Sequence, residues 1–553
     1  MRESVQKVLT EAARRAVAEI DPGRAEALES VQLVPARSPE HGDFASNVAM
    51  VLAKALGMSP RDLAARISAC IDAPELIERA EVAGPGFLNV FLARDQWRDL
   101  IRRVLTEGEA WGRVKAQPAE RVMVEFVSAN PTGPLTVGHG RNAVLGDCIA
   151  RLLEAVGHEV TREYYFNDGG RQMRVLGESL RVRYLQCLGR EAQLPEGGYE
   201  GAYMVDIAQA LVAEVGEGWL EADWERFKDR AKDAIFADIN ATLLRLGIHH
   251  DVHFNEHTLY ADGLVDAALE DLRKCGLVYE ADGAIWLRAS DFGMERDRVL
   301  VKSSGEPTYL LPDVAYHREK FKRGFERVID VLGPDHIEQF PYVQQAIRAL
   351  GHDGERLELA LYQWVNLRRA GQIVKMSTRR ASFVTIDEVL DEVGADVFRY
   401  FMVDRRGDTH LDFDLDLAME RSDRNPVYKI QYAHARLASL ERKAEEQGVV
   451  LPPPAELPVE RLVAPLEIEL AKTVGRYPEV LAHAAAAREP QEIARYALDL
   501  ATRFHSYITD GKQHRVLSDD VDLSRARLAL VRCVRLTLAS ALALLGIGAP
   551  EHM

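Results

Sequence analysis

Cysteine is scarce in this sequence. Five thiols are spread over 553 residues, at Cys70, Cys148, Cys187, Cys275 and Cys533, and no two are spaced as CxxC. That excludes a disulfide framework and a paired-cysteine zinc site, so no metal ligand set is expected. Most of the five sit in apolar helical patterns, which predicts reduced, buried thiols and a cytoplasmic protein. Positive charge is also short. Lys and Arg number 69 against 86 Asp and Glu, a net charge of −17, which argues against non-specific nucleic-acid binding but allows a local basic face for RNA. No apolar run is long enough to span a membrane, so no membrane partner is expected. The first twenty residues form an amphipathic pattern, with Val5, Val8, Leu9, Ala12 and Ala16 on one side, and lack the unbroken apolar core of a signal peptide. No GxGxxG opens a helix after a strand, which disfavours a dinucleotide oxidoreductase.

The composition is otherwise that of a globular protein, and 553 residues are too many for one core. The patterning predicts a multidomain α/β chain: an α+β module over residues 1–115, a Rossmann-like parallel-sheet domain over 116–410, and an all-helical bundle over 415–553. In the first module, Ser59-Pro60 is a helix start, a helix is expected from Ala45 to Leu56, and Phe44 and Phe87 are expected in the core. In the second, residues Glu159–Phe166, Thr308–Leu311, Val328–Leu332 and Leu359–Val365 read as strands. The polar stretch over about 190–290 reads as a helical insertion. In the third, Asn425-Pro426 starts a helix bearing Tyr428 and Tyr432. Tyr496, Leu500, Phe504 and Tyr507 share a second helix, and Leu523–Leu545 is central.

One stretch carries chemistry. Val122–Val127 is a short β-type run, Ser128–Leu135 is a loop rich in Gly and Pro, and Val144, Leu145, Cys148, Ile149, Leu152, Leu153 and Val156 follow at helical spacing until Gly157. Gly138, His139 and Gly140 stand at the helix start, where free N–H groups favour an anion and glycine lets a phosphate approach. Taken alone, that tripeptide is equally an ordinary βα turn with a surface histidine. Asn167 and Asp168 stand where a helix cap belongs, before Arg171. A basic loop with Arg369, Lys375, Arg379 and Arg380 follows the last strand, where ligands of open α/β sheets bind.

With these pieces placed, the sequence resembles the arginyl-tRNA synthetases of bacterial type, a family of class I aminoacyl-tRNA synthetases. The likeness spans the chain. Thr136-Val137-Gly138-His139 matches the first class signature, and Lys375-Met376-Ser377-Thr378 matches the second. The flanks Glu125–Pro134, Tyr165–Asp168, Asp313–His317 and Gln431–Arg436 resemble the arginyl enzymes in particular. The resemblance implies ATP-dependent activation of L-arginine and its transfer to tRNA(Arg), by a monomer using ATP with Mg²⁺. It implies that Thr136, Gly138, His139, Gly140, Lys375, Met376 and Ser377 hold ATP, with His139 and Lys375 catalytic. It implies an arginine pocket of Glu125, Ser128, Asn130, His139, Tyr309 and Asp313, with Gln339 the nearest match to a further glutamine. The N-terminal module is expected to touch the tRNA elbow, and Tyr428, Tyr432 and Arg436 the anticodon region. A guanidinium offers paired donors that carboxylates accept bidentately, which fits Glu125 and Asp313; the plain alternatives are a strand-end carboxylate paired with a base and, for Tyr309, a core aromatic.

Two positions depart from the class pattern. Thr136 replaces the first signature histidine, and Thr378 replaces the final lysine. The rivals are a class I enzyme for another amino acid, such as cysteine or glutamate, and a tRNA-binding paralogue that no longer does chemistry. Absent zinc ligands argue against the cysteine enzyme, and acidic pocket residues against the glutamate enzyme.

Overall fold

The computed structural model describes residues 1–36, 39–114, 116–374, 384–509 and 514–553. They form two compact units. One comprises Met1–Gly108, Ser439–Arg476 and Ser506–Arg535, the other Glu109–Ala438, Tyr477–His505 and Leu536–Met553.

In the first unit, the helix Arg2–Ala18 buries Val5, Leu9, Ala12 and Ala16, as its amphipathic spacing requires. An antiparallel sheet runs in the order Val34–Pro35, Phe44–Ser46, Phe87–Leu92, Ile77–Ala83. The helix expected from Ala45 begins only at Val48, because Phe44–Ser46 pairs with Leu88–Val90 as a strand. The Ser59 side chain accepts from the Asp62 N–H and caps the helix Pro60–Ala69. Phe44 is buried, whereas Phe87 is 39% exposed and lies outside the core.

The second unit is built on five parallel strands in the order Leu357–Leu361, Arg327–Leu332, Arg121–Glu125, Glu159–Phe166, Val252–Asn255. The chain starts in the middle at Arg121–Glu125, moves outward to one side, then returns to fill the other. The carboxyl end of the first strand is therefore the point where the winding reverses and a crevice opens. The region expected to be a helical insertion is mixed. Ala202–Val215 and Trp224–Arg245 are helices, but Val252–Asn255 joins the main sheet. Val278–Ala281, Ala284–Leu287 and Arg298–Val301 make a small antiparallel sheet.

Thr308–Leu311 is not a strand. Tyr309 precedes a helix over Leu310–Lys322, in which Leu310, Leu311, Val314 and Ala315 are buried at helical spacing. Pro312 is accommodated in the first turn, where its missing N–H has no partner to lose. The single strand expected over Leu359–Val365 is two. Leu357–Leu361 ends the main sheet, and Val365–Arg369 pairs with Leu411–Asp414 and Gln372–Ile373 elsewhere.

Of the helices beyond residue 425, Pro426–Glu446 starts with the Asn425 side chain accepting from the Val427 N–H at 3.0 Å. Tyr496, Leu500, Phe504 and Tyr507 are buried, and Val521–Leu544 is buried along most of its length. None of the five cysteines is in a disulfide, and only Cys148 and Cys533 are buried. Cys187 and Cys275 are exposed, because each closes a helix on its solvent side.

Candidate active site

The first strand ends at Glu125, and the backbone then turns sharply. Val127 and Ser128 have φ of 67° and 42°, a region that a β-branched residue rarely enters and that costs about 1–3 kcal/mol per residue. The turn is held by Asn142. Its side-chain oxygen accepts from the Val127 N–H at 2.5 Å, and its amide donates to the Val331 carbonyl of the neighbouring strand at 2.8 Å. The strain aims the Ser128 side chain back at the strand end. Ser128 Oγ donates to Glu125 Oε1 at 2.9 Å and accepts from the Tyr165 N–H at 3.1 Å.

The helix Val137–Ala155 starts from Thr136. The Thr136 N–H lies 3.1 Å from His139 Nδ1, and the Thr136 hydroxyl lies at the same distance. A backbone N–H can only donate, so Nδ1 accepts and the proton sits on Nε2. Burial lowers the pKa of His139 below its ordinary value. The ring is therefore a neutral imidazole whose free Nε2–H is a donor. At Gly138, a Cβ would stand 3.8 Å from the Thr136 hydroxyl, an ordinary contact. At Gly140, a Cβ would meet Phe398 at 2.5 Å and Ile386 at 3.2 Å, so the missing side chain there serves helix packing. The segment carrying Lys375, Met376, Ser377, Thr378, Arg379 and Arg380 lies outside the described residues. Its return is fixed beside the signature turn: Thr385 bridges Thr136, and the Ile386 N–H donates to the Leu135 carbonyl at 2.9 Å.

Behind the turn lies a charge cluster that the sequence reading missed. Lys320 Nζ donates to Glu125 Oε2 at 2.5 Å and to Asp330 Oδ1 at 2.8 Å. His317 Nε2 lies 2.6 Å from Asp330 Oδ2, and its Nδ1 lies 2.7 Å from the Asp313 carbonyl. Both His317 partners are acceptors, so both ring nitrogens donate and the ring is an imidazolium. Burial opposes that charge, but Asp330 raises the His317 pKa above its ordinary value. Two cations thus balance two buried carboxylates. Glu125, His317 and Asp330 could in principle hold a metal, since their ligand atoms lie within 4.8 Å of one another. The ammonium and the doubly protonated ring already fill that role and leave His317 no lone pair to offer.

Asp313 differs. Gln339 donates to its Oδ2, and the described residues give it no ion pair. Burial, with Glu125 and Glu256 adding repulsion, raises its pKa to about 6. The nearby His317 charge only partly offsets this, and no cation pairs with the carboxyl directly among the described residues. Gln339 is thus brought onto Asp313, with Glu125 near enough to repel it. Asn130 is exposed and donates to Gln172 Oε1 at 3.3 Å. Tyr309 is 84% exposed and makes no core contact. Asp168 does not cap the helix at Gly170: Gly169 holds that place, and the Asp168 carboxylate binds the His257 N–H and ring.

Sequence signals for the missed groups existed. Asp313, Tyr316, His317 and Lys320 fall on one face of a helix at i, i+3, i+4 and i+7, and Asp330 interrupts an apolar strand. Elsewhere in the same unit, Tyr428 and Tyr432 stack at 6.0 Å between ring centres. Tyr432 stacks on His505 at 5.7 Å, and Arg436 is exposed one turn on.

Comparison with known proteins fits this geometry. Residues 100–406 match the family model for the catalytic domain of class I (R) tRNA synthetases. Residues 2–92 match the arginyl tRNA synthetase N-terminal domain, and residues 430–553 the DALR anticodon binding domain. An arginine–tRNA ligase of Desulfotalea psychrophila is 48% identical, over 93% of this chain and 94% of its own. One of Salinibacter ruber is 46% identical, over 95% of this chain and 96% of its own. The Thermus thermophilus arginyl-tRNA synthetase structure superposes with a TM-score of 0.77 at 25% identity, covering all of both chains. A match of this extent to catalytic, N-terminal and anticodon-binding models alike means that the chain belongs to the arginyl-tRNA synthetase family of class I.

Proposed function

We propose that this protein activates L-arginine with ATP and esterifies it to the 3′ end of tRNA(Arg), releasing pyrophosphate and AMP. The observation that carries this reading is Asp313, a half-buried carboxyl with no ion-pair partner among the described residues, near a Glu125 already neutralised by Lys320. A guanidinium supplies the missing charge and reaches the lone pairs that Gln339 and Ser128 leave open. A glutamate substrate would meet repulsion here.

In the first step, the arginine carboxylate attacks the α-phosphorus of ATP and pyrophosphate leaves. The protein's task is to align the reactants and stabilise moving charge. His139 Nε2–H donates to an adenylate oxygen, and Gly138, with no side chain, lets the nucleotide lie against the helix start. Lys375 stabilises the departing pyrophosphate, with Met376 and Ser377 beside it, on the strength of the family resemblance. Mg²⁺ arrives with ATP as part of the substrate. The stacked Tyr428 and Tyr432 with Arg436 suit unpaired bases, which stack on aromatic rings, and the N-terminal module touches the tRNA elbow. The enzyme works as a cytoplasmic monomer.

The decisive test is charging of total tRNA with each labelled amino acid. Arginine alone should be esterified, and Lys375→Ala should sharply reduce it. Charging with another amino acid, or none, overturns the reading.

Two further outcomes follow. Asp313 titrates at about 6, and only its ionised form attracts a guanidinium. Arginine should therefore bind about tenfold more weakly at pH 5 than at pH 7; Asp313→Asn should weaken binding and flatten that pH dependence. Calorimetric titration at the two pH values checks this, and an unchanged slope in the variant would remove Asp313 from the pocket. Second, His139 is oriented by the Thr136 backbone N–H, which any residue keeps. Thr136→His should therefore retain pyrophosphate exchange, measured with tRNA present. A large loss would show that the threonine hydroxyl itself is needed.

A further inference from the structure

Arg141 stands two positions past His139 on the signature helix and makes none of the contacts described above. Its side chain is fully buried, yet among the described residues it is held by carbonyls and not by a carboxylate. Nη1 donates to the Gln363 carbonyl at 2.8 Å and to the Thr409 carbonyl at 2.6 Å, and Nη2 donates to the Arg406 carbonyl at 2.9 Å. Burial lowers its pKa to about 10, and the charges of Asp404 and Asp408 offset that only in part. A buried cation without a paired carboxylate is costly. Packing alone does not call for a charge here; the position uses the planar fork of donors.

The three carbonyls belong to one small sheet. Val365–Arg369 and Leu411–Asp414 run parallel, with Val365 opposite Leu411. Gln363 and Thr409 each stand two residues before that pair, so Nη1 bridges the entries of both strands. Nη2 holds the turn that leads into the second. Gly407 closes the contact. Its carbonyl accepts from the Gln363 N–H at 2.9 Å, and a Cβ on it would lie 2.7 Å from the Leu361 carbonyl oxygen and 3.0 Å from Leu145 Cδ2 of the signature helix. The same sheet delivers the basic loop. Val365–Arg369 turns back as Gln372–Ile373, and the Val374 N–H, the last before Lys375, donates to the Leu367 carbonyl at 2.8 Å. The return is held at Leu135 and Thr136. Both ends of the loop are therefore fixed to the signature helix, the return through its first turn and the entry through Arg141.

We propose that Arg141 is a positioning residue for adenylate formation, fixing the small sheet that leads into Lys375 against the helix start that carries His139; the assignment rests on the ligase activity above. In that activity the two groups act on one triphosphate, so their separation has to be set before the reaction. The guanidinium contacts at Glu125 and Asp313 lie on other elements, the first strand and the helix Leu310–Lys322. A displaced sheet therefore slows the chemical step and leaves arginine binding in place.

The test is pyrophosphate exchange with tRNA present. Arg141→Met should lower kcat about 100-fold, the effect of a small misplacement of reacting groups, and leave the KM for arginine within about twofold of wild type. Arg141→Lys keeps the charge but not the fork, and should fall with it. Lys375→Ala should cost at least about tenfold less in Arg141→Met than in the wild type, because a lysine already out of place contributes little. Gly407→Ala presses on the same anchor without touching the buried charge. It should show the same split between kcat and KM, and it decides the question if Arg141→Met does not fold. Variants with unchanged circular dichroism whose losses simply multiply with that of Lys375→Ala overturn the assignment. So does a loss that falls on the arginine KM, or a kcat within about twofold of wild type. Charging of tRNA(Arg) with arginine by the wild type is measured alongside. Its absence refutes the ligase reading and the assignment with it, whereas independent losses in a charging enzyme refute the assignment alone.

Discussion

Lys320→Met is expected to destabilise the folded state by about 3–5 kcal/mol, the usual effect of removing one member of a buried ion pair. The lysine is fully buried, and its ammonium lies between Glu125 and Asp330. Methionine fills much of the volume but leaves Glu125 without its ion-pair partner and Asp330 with His317 alone. The denaturant midpoint of the unit carrying the sheet should fall accordingly. Adding Glu125→Gln and Asp330→Asn should recover part of the loss, since the cost lies in unpaired charge and not in shape. A single variant that unfolds at the wild-type midpoint would mean that the carboxylates find another partner.

The same cluster sets a pH window. The Lys320 ammonium and the His317 imidazolium hold Asp330 well below the usual carboxylate range, so its contribution is complete above about pH 4 and fades as pH falls through the depressed value. His317 is shifted upward. Its contribution is complete below about pH 6.5 and is lost as pH rises through the raised value. The cluster is therefore most stabilising between these two limits.

The second large effect falls on chemistry. His139→Ala should slow arginyl-adenylate formation about 100- to 1000-fold, the loss typical of one donor aimed at developing charge. The ring is neutral, its Nδ1 is fixed by the Thr136 N–H, and the variant loses the Nε2–H without disturbing a buried charge. Single-turnover pyrophosphate exchange with tRNA present measures this, and the thermal midpoint should barely move. A rate within a few-fold of wild type would mean that the helix start alone holds the phosphate.

How far the sequence could be read depended on distance along the chain. The Gly/Pro loop, the signature helix and the parallel strands Glu159–Phe166 and Val328–Leu332 were legible, because each is written in local periodicity and turn residues. Thr308–Leu311 misled because a short apolar run looks alike in a strand and at a helix start. Val252–Asn255 went unseen as a sheet strand because its pairing with Glu163–Phe166 crosses almost ninety positions. The role of Gly140 was misplaced for a related reason: its neighbours Phe398 and Ile386 come from far along the chain.

By itself, the sequence determined the family, the order of its elements and the residue types of the pocket, since these are properties of local pattern and composition. Only the tertiary structure decided which carboxylate keeps its charge free. Glu125 and Asp313 read alike as letters. Folding places Lys320 on one and only the neutral Gln339 on the other, because a side chain's charge state depends on what surrounds it in space. The neutral state of His139 was settled the same way, by backbone and side chains that meet only once the chain is folded.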